Sequence, residues 1–179
     1  MGLPAALTVI GEVRTGYAST EGTPIQAGLN RAERAVIEIA GPFREGLDGL
    51  AGFGYAWLLT WLDRPHEPGP PPLRLVPFLL RREQRKVGVF ATRSPRRVNP
   101  IGLSLIQILA VSGGEIEFAG VDLLDRTPVL DLKPYVARFD RPPGDGDPVG
   151  GWFDQVPMAE GVTPAELSLD GRDHGRKDA

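Results

Sequence analysis

The sequence predicts an all-β domain with one short helix and long Pro/Gly-rich loops, and three observations predict it. Apolar and polar residues alternate with a period of two over several short runs, the mark of half-buried strands. Gly and Pro, at 23 and 18 of 179 residues, punctuate those runs densely enough to end each after a few residues. There is no GxGxxG, no internal repeat and no strand–helix alternation, which excludes a doubly wound nucleotide-binding sheet.

Taken in order, Thr8 to Arg14 sets Val9, Gly11 and Val13 against Thr8, Ile10 and Glu12, a first half-buried strand. Tyr17 to Gly28 is rich in Ser, Thr, Gly and Pro and reads as a loop. Arg34 to Ala40 alternates again around Val36 and Ile37 until Gly41-Pro42 stops it. Phe43, Leu47 and Leu50, spaced by four and three, predict one or two helical turns. Tyr55 to Leu62 is almost entirely apolar and reads as a strand buried on both faces. Pro65 to Pro72 is an extended proline-rich loop, and Leu73 to Leu80 an edge or bulged strand broken by Pro77. Val87 to Thr92, Leu103 to Val111 and Glu115 to Ala119 complete the strands, the last two joined by a three-residue hairpin connection, Ser112-Gly113-Gly114. Beyond Ala137 apolar content falls, Pro142 to Pro148 reads as a linker, and Asp170 to Ala179 as disordered. The expected division is a β domain over residues 1–139 and a loop-rich, partly disordered extension over 140–179.

With 41% hydrophobic residues the chain can bury one core. No apolar run approaches the roughly 18 residues needed to span a bilayer, and Met1-Gly2-Leu3-Pro4 lacks the features of a signal peptide, so a cytoplasmic location and no membrane partner are expected. The absence of cysteine removes disulfides, thiolate nucleophiles and cysteine-based zinc sites. The only histidines, His66 and His174, both lie in Pro/Gly-rich or charged loop-like sequence, which argues against a histidine zinc site or a catalytic triad, so no metal is expected. Net charge is −3, yet Arg81, Arg82, Arg85, Lys86, Arg93, Arg96 and Arg97 crowd one segment with a single acid, Glu83. Such a cluster concentrates positive potential on an otherwise acidic surface and suits phosphate, although a solvated charged loop has the same composition.

The densest chemistry lies between Val87 and Ser104. Pro95 and Pro100 stiffen the loop and hold Ser94 and Asn99 extended, while Arg93, Arg96 and Arg97 project planar donors suited to carboxylate and phosphate. This is a cradle for an anion or nucleotide, or else an ordinary solvated turn.

The run Val87-Gly88-Val89-Phe90-Ala91-Thr92-Arg93-Ser94-Pro95-Arg96-Arg97-Val98-Asn99-Pro100-Ile101-Gly102-Leu103-Ser104 resembles the signature GVFATRSPxRPNPIGLS of the TsaA/TrmO-like family, also called YaeB-like or UPF0066. Val121 to Tyr135, VDLLDRTPVLDLKPY, resembles the same family's second signature, DLLDGTPVLDIKPY. The resemblance spans Leu7 to Tyr135. It implies a small all-β, single-sheet barrel working as a homodimer. The implied activity is S-adenosylmethionine-dependent methylation of the 6-amino nitrogen of threonylcarbamoyl-adenosine beside the tRNA anticodon. The implied cofactor pocket takes in Gln26, Ala27, Gly28, Asp63, Arg64, Arg93, Leu103, Asp125, Arg126, Thr127 and Pro128. The chain departs from the family pattern at Gly54-Tyr55, Asp63-Arg64, Val98 and Arg126, where the family has Ser-His, a histidine, proline and glycine.

Methyl transfer from a sulfonium needs positioning more than covalent help, so no nucleophilic side chain is required. An arginine or backbone donors should meet the cofactor's carboxylate and an acid or carbonyls its ammonium or ribose, with Arg93 and the pair Asp122/Asp125 as candidates. Asp125-Arg126-Thr127-Pro128 reads as a tight turn, which by itself also explains Asp125. A carbamoylated adenine nitrogen keeps its proton until a base removes it; Asp122 is the candidate general base, with loop ordering as its other reading. Arg81, Arg82, Arg85, Lys86, Arg96 and Arg97 are the candidate contacts for the anticodon arm. Asp131, Lys133 and Tyr135 share one strand face, where Lys133 could meet phosphate and Tyr135 a base, or form a surface ion pair beside a core-edge tyrosine. The competing function on the same barrel is a dimer that binds S-adenosylmethionine or RNA without methylating it, or that methylates another small substrate.

Overall fold

The computed structural model describes residues 6–63, 69–144, 146–156 and 163. Six strands close into a barrel in the order β1-β2-β7-β6-β3-β8: β1 Gly11–Arg14, β2 Arg34–Ile39, β3 Tyr55–Trp61, β6 Ile101–Ser112, β7 Glu115–Ala119 and β8 Pro128–Pro134. Every pairing is antiparallel. Two short strands, β4 Arg74–Leu75 and β5 Val87–Gly88, form a separate ribbon, and the one α-helix among the described residues is α1, Ala137–Asp140.

Alternation along the strands fills the barrel. Val13 from β1, Ala35, Ile37 and Ile39 from β2, Ala56 and Leu58 from β3, Ile106 from β6, Ile116 and Phe118 from β7 and Val129 from β8 point inward and are buried together. Leu50 packs on this core from the β2–β3 connection, and Val121 and Leu123 from the β7–β8 connection.

Register fixes what lies at each mouth. Arg14 pairs with Val36, Arg34 with Ala119, Trp61 with Ile101, and Glu12 with Pro128. One rim therefore gathers the connections 15–33, 62–100 and 120–127. The opposite rim carries the β6–β7 turn and the β2–β3 connection.

Several local expectations are corrected. Tyr55 to Trp61 is not buried on both faces: Ala56, Leu58 and Thr60 go inside, while Trp57, Leu59 and Trp61 stay half-buried outside, because a single closed sheet has only one interior face. The expected strand Leu73 to Leu80 shrinks to Arg74–Leu75, since Pro77 has no N–H for a ladder and starts the 3-10 turn Phe78–Leu80. Val87 to Thr92 likewise pairs only over Val87–Gly88. The Thr92 hydroxyl then donates to the Val89 carbonyl at 2.7 Å, closing a 3-10 turn in place of a ladder. The helical turns around Phe43 are 3-10, over Gly41–Leu47 with Pro42 in the first turn. The hairpin is one residue tighter than expected: Ser112 pairs with Glu115, leaving Gly113 and Gly114 at φ of 62° and 93°. Only residues tolerant of positive φ make that two-residue turn, which matches the strand twist.

Candidate functional site

The three connections at the site rim are stitched to one another by side chains, and Asp122 is the central knot. On β6, Gly102, Ser104 and Ile106 take the inward register, which leaves Ser104 as a buried hydroxyl in an apolar row. Its Oγ donates to Asp122 Oδ1 at 2.7 Å. The other carboxylate oxygen, Oδ2, accepts the Ala27 N–H at 2.9 Å, so an acid from the β7–β8 connection caps the 3-10 turn Ala27–Leu29 of the β1–β2 connection. Arg93, from the long β3–β6 connection, donates from its guanidinium to the Leu103 carbonyl at 3.2 Å and is otherwise exposed. Burial pushes the Asp122 carboxyl above its ordinary value of 3.8, opposed by the Ser104 hydroxyl, the Ala27 N–H and the Arg93 charge.

A second knot ties the ends of the β1–β2 connection. The Asn30 side-chain amide donates to the Val121 carbonyl at 2.9 Å, to Glu33 at 3.0 Å and to the Tyr17 hydroxyl at 3.1 Å. Tyr17 in turn donates to the Glu33 carboxylate. Burial, and then this carboxylate, push the Tyr17 phenol up to about 12.

The turn runs over Leu124–Thr127, one residue earlier than the expected Asp125–Pro128, closed by the Thr127 N–H on the Leu124 carbonyl at 3.2 Å and by the Thr127 hydroxyl on the same oxygen at 2.7 Å. Within the turn the Asp125 carboxylate lies 3.8 Å from the Arg126 Nε, and beyond it the carboxylate accepts the Thr15 N–H at 3.2 Å and lies 3.8 Å from the Arg14 Nε. Arg126 sits at φ 63°, the left-handed conformation that the family's glycine accepts without strain, and its N–H donates to the Val13 carbonyl at 2.7 Å. Arg126 and Pro128 also line a hollow of about 310 Å³ against β1 and β2, with Glu12 and Glu38.

The structure thus brings Ala27, Arg93, Leu103 and Asp122 together, with Gln26 and Gly28 flanking Ala27. Asp63 and Asp125 to Pro128 lie on the same rim, and Arg64 lies outside the described residues. Of the basic cluster, Arg82, Arg85 and Lys86 are exposed, whereas the Arg81 guanidinium covers the Phe78 ring at 4.1 Å and is lowered in pKa by burial. Arg97 donates to the Thr92 carbonyl at 3.3 Å, and the Arg96 N–H donates to the Ser94 hydroxyl at 3.2 Å. Lys133 and Tyr135 stand toward the opposite rim. Lys133 pairs with Asp131 at 2.9 Å, and the Tyr135 ring meets Trp57 edge-on at 6.0 Å.

Sequence reasoning assigned no role to Ser104, Tyr17, Asn30 or Glu33. Ser104 had a signal, a hydroxyl at an inward strand position that must find a partner. The other three had none, because their partners come from remote loops.

A closed β-barrel whose site rim carries a half-buried acid, an arginine-bearing loop and a capped 3-10 turn defines the class. Within it, residues 12–141 match the family model described as the tRNA-methyltransferase O N-terminal domain, and the chain belongs to that family. It is 36% identical over 150 residues to an Archaeoglobus fulgidus protein named probable S-adenosyl-L-methionine-binding protein, covering 84% of this chain and 38% of that one. To the human tRNA (adenine(37)-N6)-methyltransferase it is 34% identical over 144 residues, covering 78% of this chain and 32% of that one. The crystal structure of TrmO from Pseudomonas aeruginosa superposes with a TM-score of 0.65 at 31% identity, over 83% of this chain and 62% of that chain. The chain therefore spans about a third of the length of those two curated relatives.

Proposed function

We propose that this chain is an S-adenosylmethionine-dependent methyltransferase acting on the 6-amino nitrogen of threonylcarbamoyl-adenosine beside the tRNA anticodon, in the cytoplasm. The observation that carries this is the knot at Asp122, where both signature runs and the β1–β2 connection meet within hydrogen-bond distance. Its donor set fits the cofactor. Arg93 spends one guanidinium nitrogen on Leu103 and keeps others for the amino-acid carboxylate, while the Gln26–Gly28 backbone lies alongside. S-adenosylmethionine supplies the methyl group when bound. The chain orients the acceptor nitrogen and takes its proton on an Asp122 oxygen, whose raised pKa makes it a stronger base. Arg82, Arg85, Lys86, Arg96 and Arg97 hold the anticodon arm over this rim, with Arg93 on the cofactor.

Two copies are proposed to pair through the outer face of β3 and β6. There Trp57 stands opposite Leu105, Leu59 opposite Leu103 and Trp61 opposite Ile101, an apolar wall with Leu103 48% and Ile101 41% exposed. Leu103 belongs both to this wall and to the Arg93 contact, so the pocket would adjoin the seam. Sedimentation showing a monomer at micromolar concentration contradicts the pairing.

A second reading has its own observation. Both Asp122 oxygens are already engaged, as a purely structural clasp requires, so the barrel could bind cofactor or RNA without catalysis. Calorimetry with S-adenosylmethionine, followed by mass spectrometry of anticodon-loop nucleosides from a deletion strain carrying this chain, separates the two. Arg93→Ala should weaken cofactor binding by about 1.5–3 kcal/mol. Binding without a methylated nucleoside selects the second reading, and unchanged affinity in Arg93→Ala removes that residue from the site.

A further inference from the structure

Phe90 is 80% exposed, an unusual place for a phenylalanine within the densest run of positive charge in the chain. Its backbone is not free to turn the ring inward. Val89, which opens the 3-10 turn Val89–Ala91, and Thr92, which follows it, are only 1% and 7% exposed, and Thr92 ties back to Val89 through both its N–H, at 3.1 Å, and its hydroxyl, at 2.7 Å. The fold holds the ring out in water. The C-terminal segment then returns to this turn: the Trp152 Nε1–H donates to the Ala91 carbonyl at 2.8 Å, and the Trp152 and Phe153 rings stack at 3.8 Å with an interplanar angle of 22°. That segment is itself a built turn, Gly151–Gln155, with the Gly150 N–H donating to the Asp154 carboxylate at 2.7 Å. A presented ring and a docked aromatic pair therefore share one short turn, directly between Arg85-Lys86 and Arg93.

We infer that Phe90 and the docked Trp152–Phe153 pair form a stacking platform for unpaired bases of RNA, next to the arginines that take its phosphates. Aromatic faces amid cationic side chains are the general means of holding single-stranded nucleic acid, because every base has a π-face and every nucleotide a phosphate. The platform would seat an unstacked loop nucleotide beside the Arg93–Asp122 rim. It also gives the segment after residue 140 a task, extending the binding surface of the barrel. The inference rests on the RNA reading of the site proposed above.

Stacking and charge separate cleanly in their salt dependence. With an unmodified anticodon stem-loop as probe, Phe90→Ala should weaken binding roughly 5- to 100-fold while leaving the slope of log affinity against log salt unchanged. Arg96→Ala/Arg97→Ala should instead flatten that slope by about 0.7 for each phosphate no longer neutralised. Phe90→Trp should restore affinity. Stacking should quench tryptophan emission in the wild type, and Trp152→Phe should abolish that quenching while S-adenosylmethionine affinity stays the same. Wild-type affinity in Phe90→Ala, or no rescue by Phe90→Trp, overturns the platform while the tRNA reading stands. A shift in sedimentation of Phe90→Ala assigns the ring to the interface between copies and overturns it as well. If the wild type binds S-adenosylmethionine but no stem-loop, the tRNA reading falls, and the platform falls with it.

Discussion

At one mouth of the barrel β6 turns into β7 through Gly113 and Gly114, and the Arg44 Nε closes the neighbouring edge by donating to the Ile39 carbonyl at 3.0 Å. At the other mouth the long connections 15–33 and 62–100 meet the shorter 120–127, held by Asp122, Asn30 and Asp125 rather than by strand ladders. The first arrangement is backbone geometry, in which little can be changed without breaking a strand register. The second adds to a few backbone bonds, such as the Asp125 N–H on the Tyr17 carbonyl at 2.8 Å, a set of polar side chains bonding across loops, and that set is adjustable residue by residue. The difference teaches where chemistry can be placed: the ladder end supplies rigidity, and the laced end presents donors and acceptors to a ligand from a rigid base.

Breaking the ladder end should cost most. Gly11 lies where β1 meets both β2 and β8, and a Cβ there would fall on the Glu38 carbonyl oxygen, a backbone atom that cannot step aside. Gly11→Ala should lose about 3 kcal/mol in urea denaturation; a loss below about 1 kcal/mol would show that the barrel seam gives way as easily as a loop.

Cutting the Asp122 knot should cost less in stability and more in order. Asp122→Ala strands the Ser104 hydroxyl and the Ala27 N–H, worth about 1–3 kcal/mol, and hydrogen exchange should quicken at residues 26–30 while the β2 and β7 amides stay protected. Uniform quickening over the whole barrel would mean that the rim is not a separate unit.

The same residue sets a pH signature. Its folded pKa lies above the ordinary 3.8, so the neutral carboxyl's contribution to stability is complete below that value and is lost as pH rises through the folded pKa. The wild type should therefore lose stability relative to Asp122→Asn over that window and run parallel to it above. A flat difference at all pH values would show that the hydrogen bonds and Arg93 cancel the burial. If Asp122 is the base, methylation should fall as pH drops through the same window.

Smaller effects sharpen the contrast. Arg126→Gly relieves a left-handed residue and should stabilise the fold by about 1 kcal/mol, since the exposed ion pair with Asp125 at 3.8 Å offers little in return. At Gly28 a Cβ would meet nothing within 4 Å, and Gly28→Ala should stay within about 0.5 kcal/mol in thermal unfolding. A large loss there would mean that the laced rim is packed as tightly as the seam.

The strands were legible where alternation was regular. Val13, Ile37, Ile116 and Phe118 sit inside as their period requires, because which face a strand residue takes depends only on its neighbours along the chain. Reading failed at Trp57 and Trp61, where composition alone suggested burial, and at Val87 to Thr92, where one hydroxyl turned a strand into a 3-10 turn. At the site, Arg93 and Asp122 stood out through the family signatures, whereas their surroundings did not.

By itself the sequence determined the class of fold, the inward residues of the barrel strands and the place where positive charge collects, all of which follow from residue type and short-range order. Only the tertiary structure decided that Asp122 meets Ala27 and Ser104, from 95 and 18 positions away, that Arg126 takes a left-handed conformation, and that Trp152 docks beside Phe90. The Asp122 contacts exist because closing six strands brings three connections to one rim. Closure is a property of the whole sheet that no local stretch of chain encodes.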